Sequence, residues 1–154
     1  MVIEARLARA RAVAAAVPDP EIPALTLEEL GLLVDVTLAN ETVEVSITPS
    51  YLGCPANALI AQEIVAALAR AGFADARVRT VLSPAWTTDR ITAEGKRKLQ
   101  QHGIAPPDRM RTNPACPRCG NAVTEELSAF GATPCTALFR CLACREPFAA
   151  FKCH

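Results

Sequence analysis

Thr42 to Leu68 reads TVEVSITPSYLGCPANALIAQEIVAAL, and the fold turns on this stretch. Thr42 to Thr48 alternates β-branched with polar residues at period two, the pattern of a half-buried strand. Pro49 to Pro55 cannot continue a strand, and Gly53 marks a turn within it. Residues 56–71 then place Leu59, Ile60, Ile64 and Leu68 at helical spacing until Gly72 stops the run. The segment is a strand, a loop and a helix, with a solitary cysteine, Cys54, at the junction.

Working outward, Leu32 to Leu38 is a second β-branched run, joined to the first through a hairpin turn at Ala39-Asn40-Glu41. Ala76 to Leu82 alternates again and predicts a third strand. Upstream, residues 3–17 put Ile3, Leu7, Ala10, Val13, Ala14 and Val17 on one helical face with arginines opposite, and Pro18 ends that helix. The three prolines of Pro18-Asp19-Pro20-Glu21-Ile22-Pro23 predict an extended, stiff loop. A short helix at about Ala93 to Gln101 follows Thr92 as its cap. The order α-β-β-α-β-α describes a small α+β domain over residues 1–107, closed by Ile104-Ala105-Pro106-Pro107. Residues 108–154 are a different kind of sequence and form a second module.

The 154 residues are 51% hydrophobic, but 29 of the 154 are alanine, so the core is thinner than that figure implies. Lys+Arg and Asp+Glu balance at 16 each, which argues against a nucleic-acid binder working by charge. The longest uncharged segment, Val45 to Gln62, is broken by Pro49, Gly53 and Pro55 and does not read as a membrane span. The Ala12 to Val17 run is too short for a signal-peptide core. The expectation is a soluble, unexported, cytoplasmic protein.

Six of the seven cysteines lie between Cys116 and Cys153. Cys116-Pro117-Arg118-Cys119-Gly120 and Cys141-Leu142-Ala143-Cys144 are two Cys-x-x-Cys knuckles separated by 21 residues. A two-residue spacer lets a tight turn aim both sulfurs at one point, and Gly120 tolerates the positive φ such turns need. Strands at Ala137 to Arg140 and Pro147 to Phe151 would enter and leave the second knuckle. This is a β-rich zinc ribbon, with Cys116, Cys119, Cys141 and Cys144 holding a structural Zn²⁺. Four thiolates suit an iron–sulfur cluster as well. A module this small needs the metal to fold, a contribution on the order of 10 kcal/mol. Cys135 and Cys153 are left over, either as half-buried thiols or as a second, labile metal site.

Cys54, just before Pro55, sits where a helix N-terminus would lower a thiol pKa. A buried, inert cysteine fits the same position. Asp19 and Glu21 read alone are turn formers. No histidine lies near a nucleophile in sequence, so no catalytic triad is suggested.

These residues carry a resemblance. Asp19-Pro20-Glu21-Ile22-Pro23, then Leu30-Gly31-Leu32, then Thr48-Pro49 and Gly53-Cys54-Pro55-Ala56 resemble the signature of the metal-sulfur cluster assembly domain family. The tail from Cys116 through Phe130-Gly131 and Cys144-Arg145-Glu146-Pro147-Phe148 to Phe151-Lys152-Cys153 is similar to that of the PaaD family. PaaD proteins are accessory to the bacterial phenylacetyl-CoA 1,2-epoxidase system. The resemblance implies a maturation factor of phenylacetate degradation and not an enzyme. It makes Cys54 a transient ligand for a cluster or iron, with Asp19 and Glu21 shaping its pocket. The implied partners are the epoxidase subunits, especially the iron–sulfur flavoprotein reductase. Because one cysteine and two carboxylates are a poor cage for iron, a second copy of the chain would complete the ligand set in a homodimer. The ribbon would dock the client through Arg118, Arg140, Arg145 and Phe148. The alternative is a structural or docking subunit that transfers no cluster. Thr26-Leu27-Glu28-Glu29 departs from the family's pattern before Leu30.

Overall fold

The computed structural model describes residues 2–152. Two compact units divide the chain at Trp86 and Thr87. The division falls earlier than the expected 107/108 boundary, and its cause is a strand pairing that short-range pattern does not reveal.

In the first unit, helix α1 (Val2–Ala15) leads through a loop to strands β1 (Leu33–Ala39) and β2 (Thr42–Ile47). Helix α2 (Ala56–Arg70) and strand β3 (Ala76–Thr80) complete it. The sheet order is β1-β2-β3. β2 pairs antiparallel with β1 and parallel with β3, so α2 is the crossover that a parallel pair requires. Asn40 and Glu41 make the β1–β2 turn with φ of 50° and 70°, the primed geometry that matches strand twist. Val43, Val45 and Ile47 of β2 are buried with Ile60, Ile64 and Leu68 of α2, and Leu59 is left exposed. The inward face of α1 is Ala10 and Ala14; Ile3, expected on that face, is exposed.

The proline loop is not extended. Asp19 N–H donates to Leu25 O at 2.9 Å and Leu25 N–H to Ile22 O at 2.9 Å, closing the segment on itself. Its prolines fix φ locally, but the Asp19 carboxylate turns the chain by accepting from the Glu21 and Ile22 amides. Thr26 and Glu29 then cap each other reciprocally: Thr26 N–H donates to Glu29 Oε2 at 2.9 Å, and Glu29 N–H to Thr26 Oγ1 at 3.2 Å. That exchange is what the departure before Leu30 accomplishes. Leu25 and Leu27 anchor the loop in the core.

The second unit opens with a single 3-10 turn (Thr88–Arg90) and helix α3 (Ala93–Gln101). As expected, Thr92 Oγ1 caps α3, accepting from Gly95 N–H at 3.0 Å. Strands β4 (Ile104–Ala105), β5 (Thr124–Ser128), β6 (Thr136–Cys141) and β7 (Pro147–Phe151) form a sheet in the order β4-β7-β6-β5. β4 pairs parallel with β7, and this draws α3 and residues 104–105 into the ribbon's unit. Its core is small, built from Ala105, Cys116, Ala137, Phe139, Cys141, Phe148 and Ala150. Phe139 and Phe148 stack with ring centroids 6.0 Å apart.

Candidate metal centres

The loop carrying Cys54 leaves the C-terminal end of the central strand, β2. Thr48 N–H donates to Leu32 O at 2.9 Å and Thr48 Oγ1 to Pro84 O at 3.0 Å, fixing where the loop begins. Asn57 Nδ2 donates to Tyr51 O at 3.1 Å and holds the other end. Gly53 has φ +82°, so the chain reverses in a conformation that side chains resist. Cys54 follows, half-buried, immediately before Pro55 and the first turn of α2.

Across the loop stands the acidic segment. Asp19 is buried, and its Oδ1 accepts from Glu21 N–H at 2.9 Å and Ile22 N–H at 2.8 Å. The turn this makes presents the Glu21 carboxylate to Cys54, with Sγ 3.6 Å from Oε1. Residues 33 positions apart thus meet, and the structure brings Asp19, Glu21 and Cys54 into one neighbourhood. The resemblance implies that Asp19 and Glu21 shape the pocket of Cys54; the fold adds that the carboxylate in reach of the sulfur is Glu21.

The expected lowering of the Cys54 pKa is not found. Burial pushes the thiol up; the Ala56 N–H at the helix start opposes this, and the negative charges of Glu21 and Asp19 reinforce it. The helix-terminus effect is present but outweighed. Burial likewise raises the Asp19 carboxyl, against the lowering pull of the Ile22 and Glu21 amides. Beside this loop lies an apolar hollow of about 440 Å³ lined by residues that include Tyr51, Leu52, Leu82 and Trp86. Tyr51, Leu52 and Leu82 are exposed at its rim, while Trp86 is buried with Nε1 donating to Leu30 O at 2.8 Å.

In the second unit the two knuckles converge. The sulfurs of Cys116, Cys119, Cys141 and Cys144 all lie within 4.8 Å of one another. Cys116 and Cys144 are 3.8 Å apart, Cys119 and Cys141 3.5 Å. A tetrahedron of thiolates about 2.3 Å from a central ion has edges of about 3.8 Å, so the donor set fits a tetrahedral divalent metal. Each knuckle ends on a residue with positive φ: Gly120 at +76° and, without glycine's freedom, Arg145 at +68°. Gly120 N–H donates to Cys116 O at 2.9 Å, and Cys144 N–H points at Cys141 Sγ at 3.4 Å. That amide is the first cause holding the Cys141 thiol down to about 6, while Cys144, despite the Glu146 amide, is pushed up to about 11 by burial and the neighbouring sulfurs, so the set shares its protons and sheds the first at Cys141.

Cys135 is not part of this group; its Sγ lies 3.0 Å from Thr133 Oγ1. Cys153, the other half of the expected second site, lies outside the described residues. The expected docking surface also changes. Phe148 is in the core, and Arg140 is held by Glu125 on the neighbouring strand, leaving Arg118 and Arg145 exposed. Among the described residues no helix is long and apolar enough to cross a membrane.

Comparison with known proteins matches a family model to each unit. Residues 8–82 match the family model of an iron–sulfur cluster assembly protein, and residues 104–152 that of the PaaD zinc beta ribbon domain. A crystal structure of a domain of unknown function, DUF59, from Bacillus anthracis is 28% identical with a TM-score of 0.59, over 64% of this chain and 95% of that one. A protein of Escherichia coli (strain K12), provisionally named as one of the subunits of 1,2-phenylacetyl-CoA epoxidase, is 42% identical over 143 residues, 89% of this chain and 87% of its own length. With that identity along nearly its whole length and both modules matched, the chain belongs to the PaaD family of phenylacetyl-CoA epoxidase proteins.

Proposed function

We propose that this chain is an accessory protein of a phenylacetyl-CoA epoxidase system, and that it handles iron or an iron–sulfur cluster for insertion into epoxidase subunits, foremost the iron–sulfur flavoprotein reductase. The observation that carries the reading is the Cys54–Glu21 pair, 3.6 Å apart, at the end of the central strand of an assembly-type domain.

The chemistry follows from these residues. Cys54 offers one sulfur donor and Glu21 one carboxylate, while the Asp19 oxygen facing the turn is already engaged by two amides. One thiolate and one carboxylate fill only part of the coordination sphere of a cluster. Cargo held so incompletely is released to a client with more sulfurs, and a second copy of the chain would supply the missing ligands while cargo is in transit. Displacing the Cys54 proton to solvent is part of loading, and it leaves the Glu21 carboxylate free to serve as the oxygen donor. The apolar rim of Tyr51, Leu52 and Leu82 gives a client a dry surface next to the sulfur.

In the ribbon, Cys116, Cys119, Cys141 and Cys144 would hold a structural zinc ion, which supplies the cross-link that a core of seven small or buried residues cannot. We assign the cargo site to a domain of residues 1–107 and the structural metal to a ribbon of residues 108–154, a division by task that cuts across the two compact units.

The test is anaerobic purification of wild type and Cys54→Ser, with metal analysis, an absorption spectrum and the cluster content of the co-produced reductase. The expected result is an unchanged zinc content, loss of the visible chromophore, and a reductase depleted of its cluster. A reductase with full cluster content beside Cys54→Ser would overturn the role.

A further inference from the structure

Charge is divided unevenly along a neutral chain. Residues 1–86 carry six Lys+Arg against ten Asp+Glu, and residues 87–154 carry ten against six. Four thiolates on a divalent ion remove two units from the second segment and still leave it positive.

Three adjoining hollows cross the second unit. One, of about 350 Å³, runs between Gln100 to Gly103 and Pro117-Arg118. The next, of about 470 Å³, shares Gln100 and Pro117 with it and adds Lys96 and Arg111. The third, of about 440 Å³, shares Pro106, Asp108 and Arg111 with the second and has a floor of Phe139, Phe151, Ala137 and Ala150. Lys96 and Arg118 have no carboxylate partner among the described residues. Arg111 has only Asp108, at 3.4 Å and three residues away on the surface, a pairing of little worth.

We infer that this trough is a docking groove for an extended, acidic polypeptide segment with an apolar residue at one end. The cations of the first two hollows would read its carboxylates, and the Phe139–Phe151 floor of the third would take its apolar side chain. A nucleic acid fits less well: no Phe, Tyr or Trp lines the first two hollows to stack on bases. Arg118 also lies inside a knuckle, where its charge offsets the thiolates, so Lys96 and Arg111 are the discriminating residues. The inference is independent of cargo at Cys54.

The experiment titrates the full, metal-loaded chain against a fluorescein-labelled peptide alternating Glu and Ser and ending in Leu-Phe, by fluorescence anisotropy. Its Gln counterpart and an oligothymidylate of equal length are run in parallel. The acidic peptide should bind saturably, at least about tenfold tighter than either comparator, and weaken as salt rises. The Lys96→Glu/Arg111→Glu variant should lose about tenfold or more, with Arg70→Glu, a charge change on the first unit, and Cys54→Ser both unchanged. If charge reversal costs the bound metal, Lys96→Gln/Arg111→Gln replaces it, with the same loss expected at lower magnitude. The groove assignment is overturned by no saturable binding, by an oligothymidylate that binds as well, by equal weakening from Arg70→Glu, by undiminished binding to the trough variant, or by a self-association of the chain that the peptide fails to displace.

Discussion

Cys54 Sγ and Glu21 Oε1 lie 3.6 Å apart although the two residues are 33 positions apart in the chain. The thiol rests protonated: burial raises its pKa above the ordinary 9.0, and the Glu21 carboxylate adds to the rise. A raised thiol pKa favours the fold below the unfolded value of 9.0, and that contribution is lost as pH climbs through the folded value. Glu21→Gln removes a negative charge from the sulfur and should move the pH midpoint of Cys54 alkylation downward, read peptide by peptide by mass spectrometry. A midpoint that stays put or rises would mean that Glu21 does not act on the thiol.

Asp19 has a separable, structural task. Its Oδ1 receives two amides, so Asp19→Ala should cost about 1 kcal/mol of stability in denaturant melts. Asp19→Asn keeps an acceptor without the charge. Because burial raises the folded carboxyl above its ordinary 3.8, this group's contribution is fully present below that value and fades as pH rises through the folded pKa. Asp19→Asn should remove that slope and be at least as stable as wild type at neutral pH. An unchanged slope would contradict the assignment.

Metal removal should act on one unit only. The single tryptophan, Trp86, is buried in the first unit with its indole donating to Leu30 O. Stripping the ion with a strong chelator, or Cys141→Ser, should abolish the β-sheet signal of the ribbon in circular dichroism while Trp86 emission stays blue-shifted. A simultaneous red shift of the emission would show that the units unfold together.

The knuckles offer a paired test of backbone strain. Gly120→Ala places a side chain at φ +76° and should cost about 1 kcal/mol, read as faster metal loss to a competing chelator. Arg145→Gly relieves the same conformation at φ +68° and should slow that loss. Equal rates for both variants and wild type would show that the turns carry no strain.

How much of this the sequence discloses depends on range. The order α-β-β-α-β-α is legible because each element announces itself through its own periodicity, as at Val43, Val45 and Ile47 or at Ile60, Ile64 and Leu68. The four-sulfur cluster is legible because a two-residue spacer dictates local geometry wherever the knuckle sits. What escapes is set by distant partners. β4 is two residues long and exists only because β7 accepts it; β5 shows no alternation, with Thr124 buried and most of the rest exposed. The proline loop folds back because Asp19 supplies a turn that its prolines alone would not. The Cys54 pKa goes the opposite way to the helix-end argument because burial outweighs the amide at the helix start, and two carboxylates from far upstream, Glu21 and Asp19, add to the rise. Phe148 faces inward because the alternation of β7 puts it, with Ala150, on the face where Phe139 packs.

The closeness of the Cys119 and Cys141 sulfurs, 3.5 Å, has a practical corollary. Each sulfur comes from a different knuckle, so an ion held among them ties together segments 22 positions apart, and a protease cut within residues 120–140 of the metal-loaded ribbon should leave the two pieces joined until the ion is withdrawn.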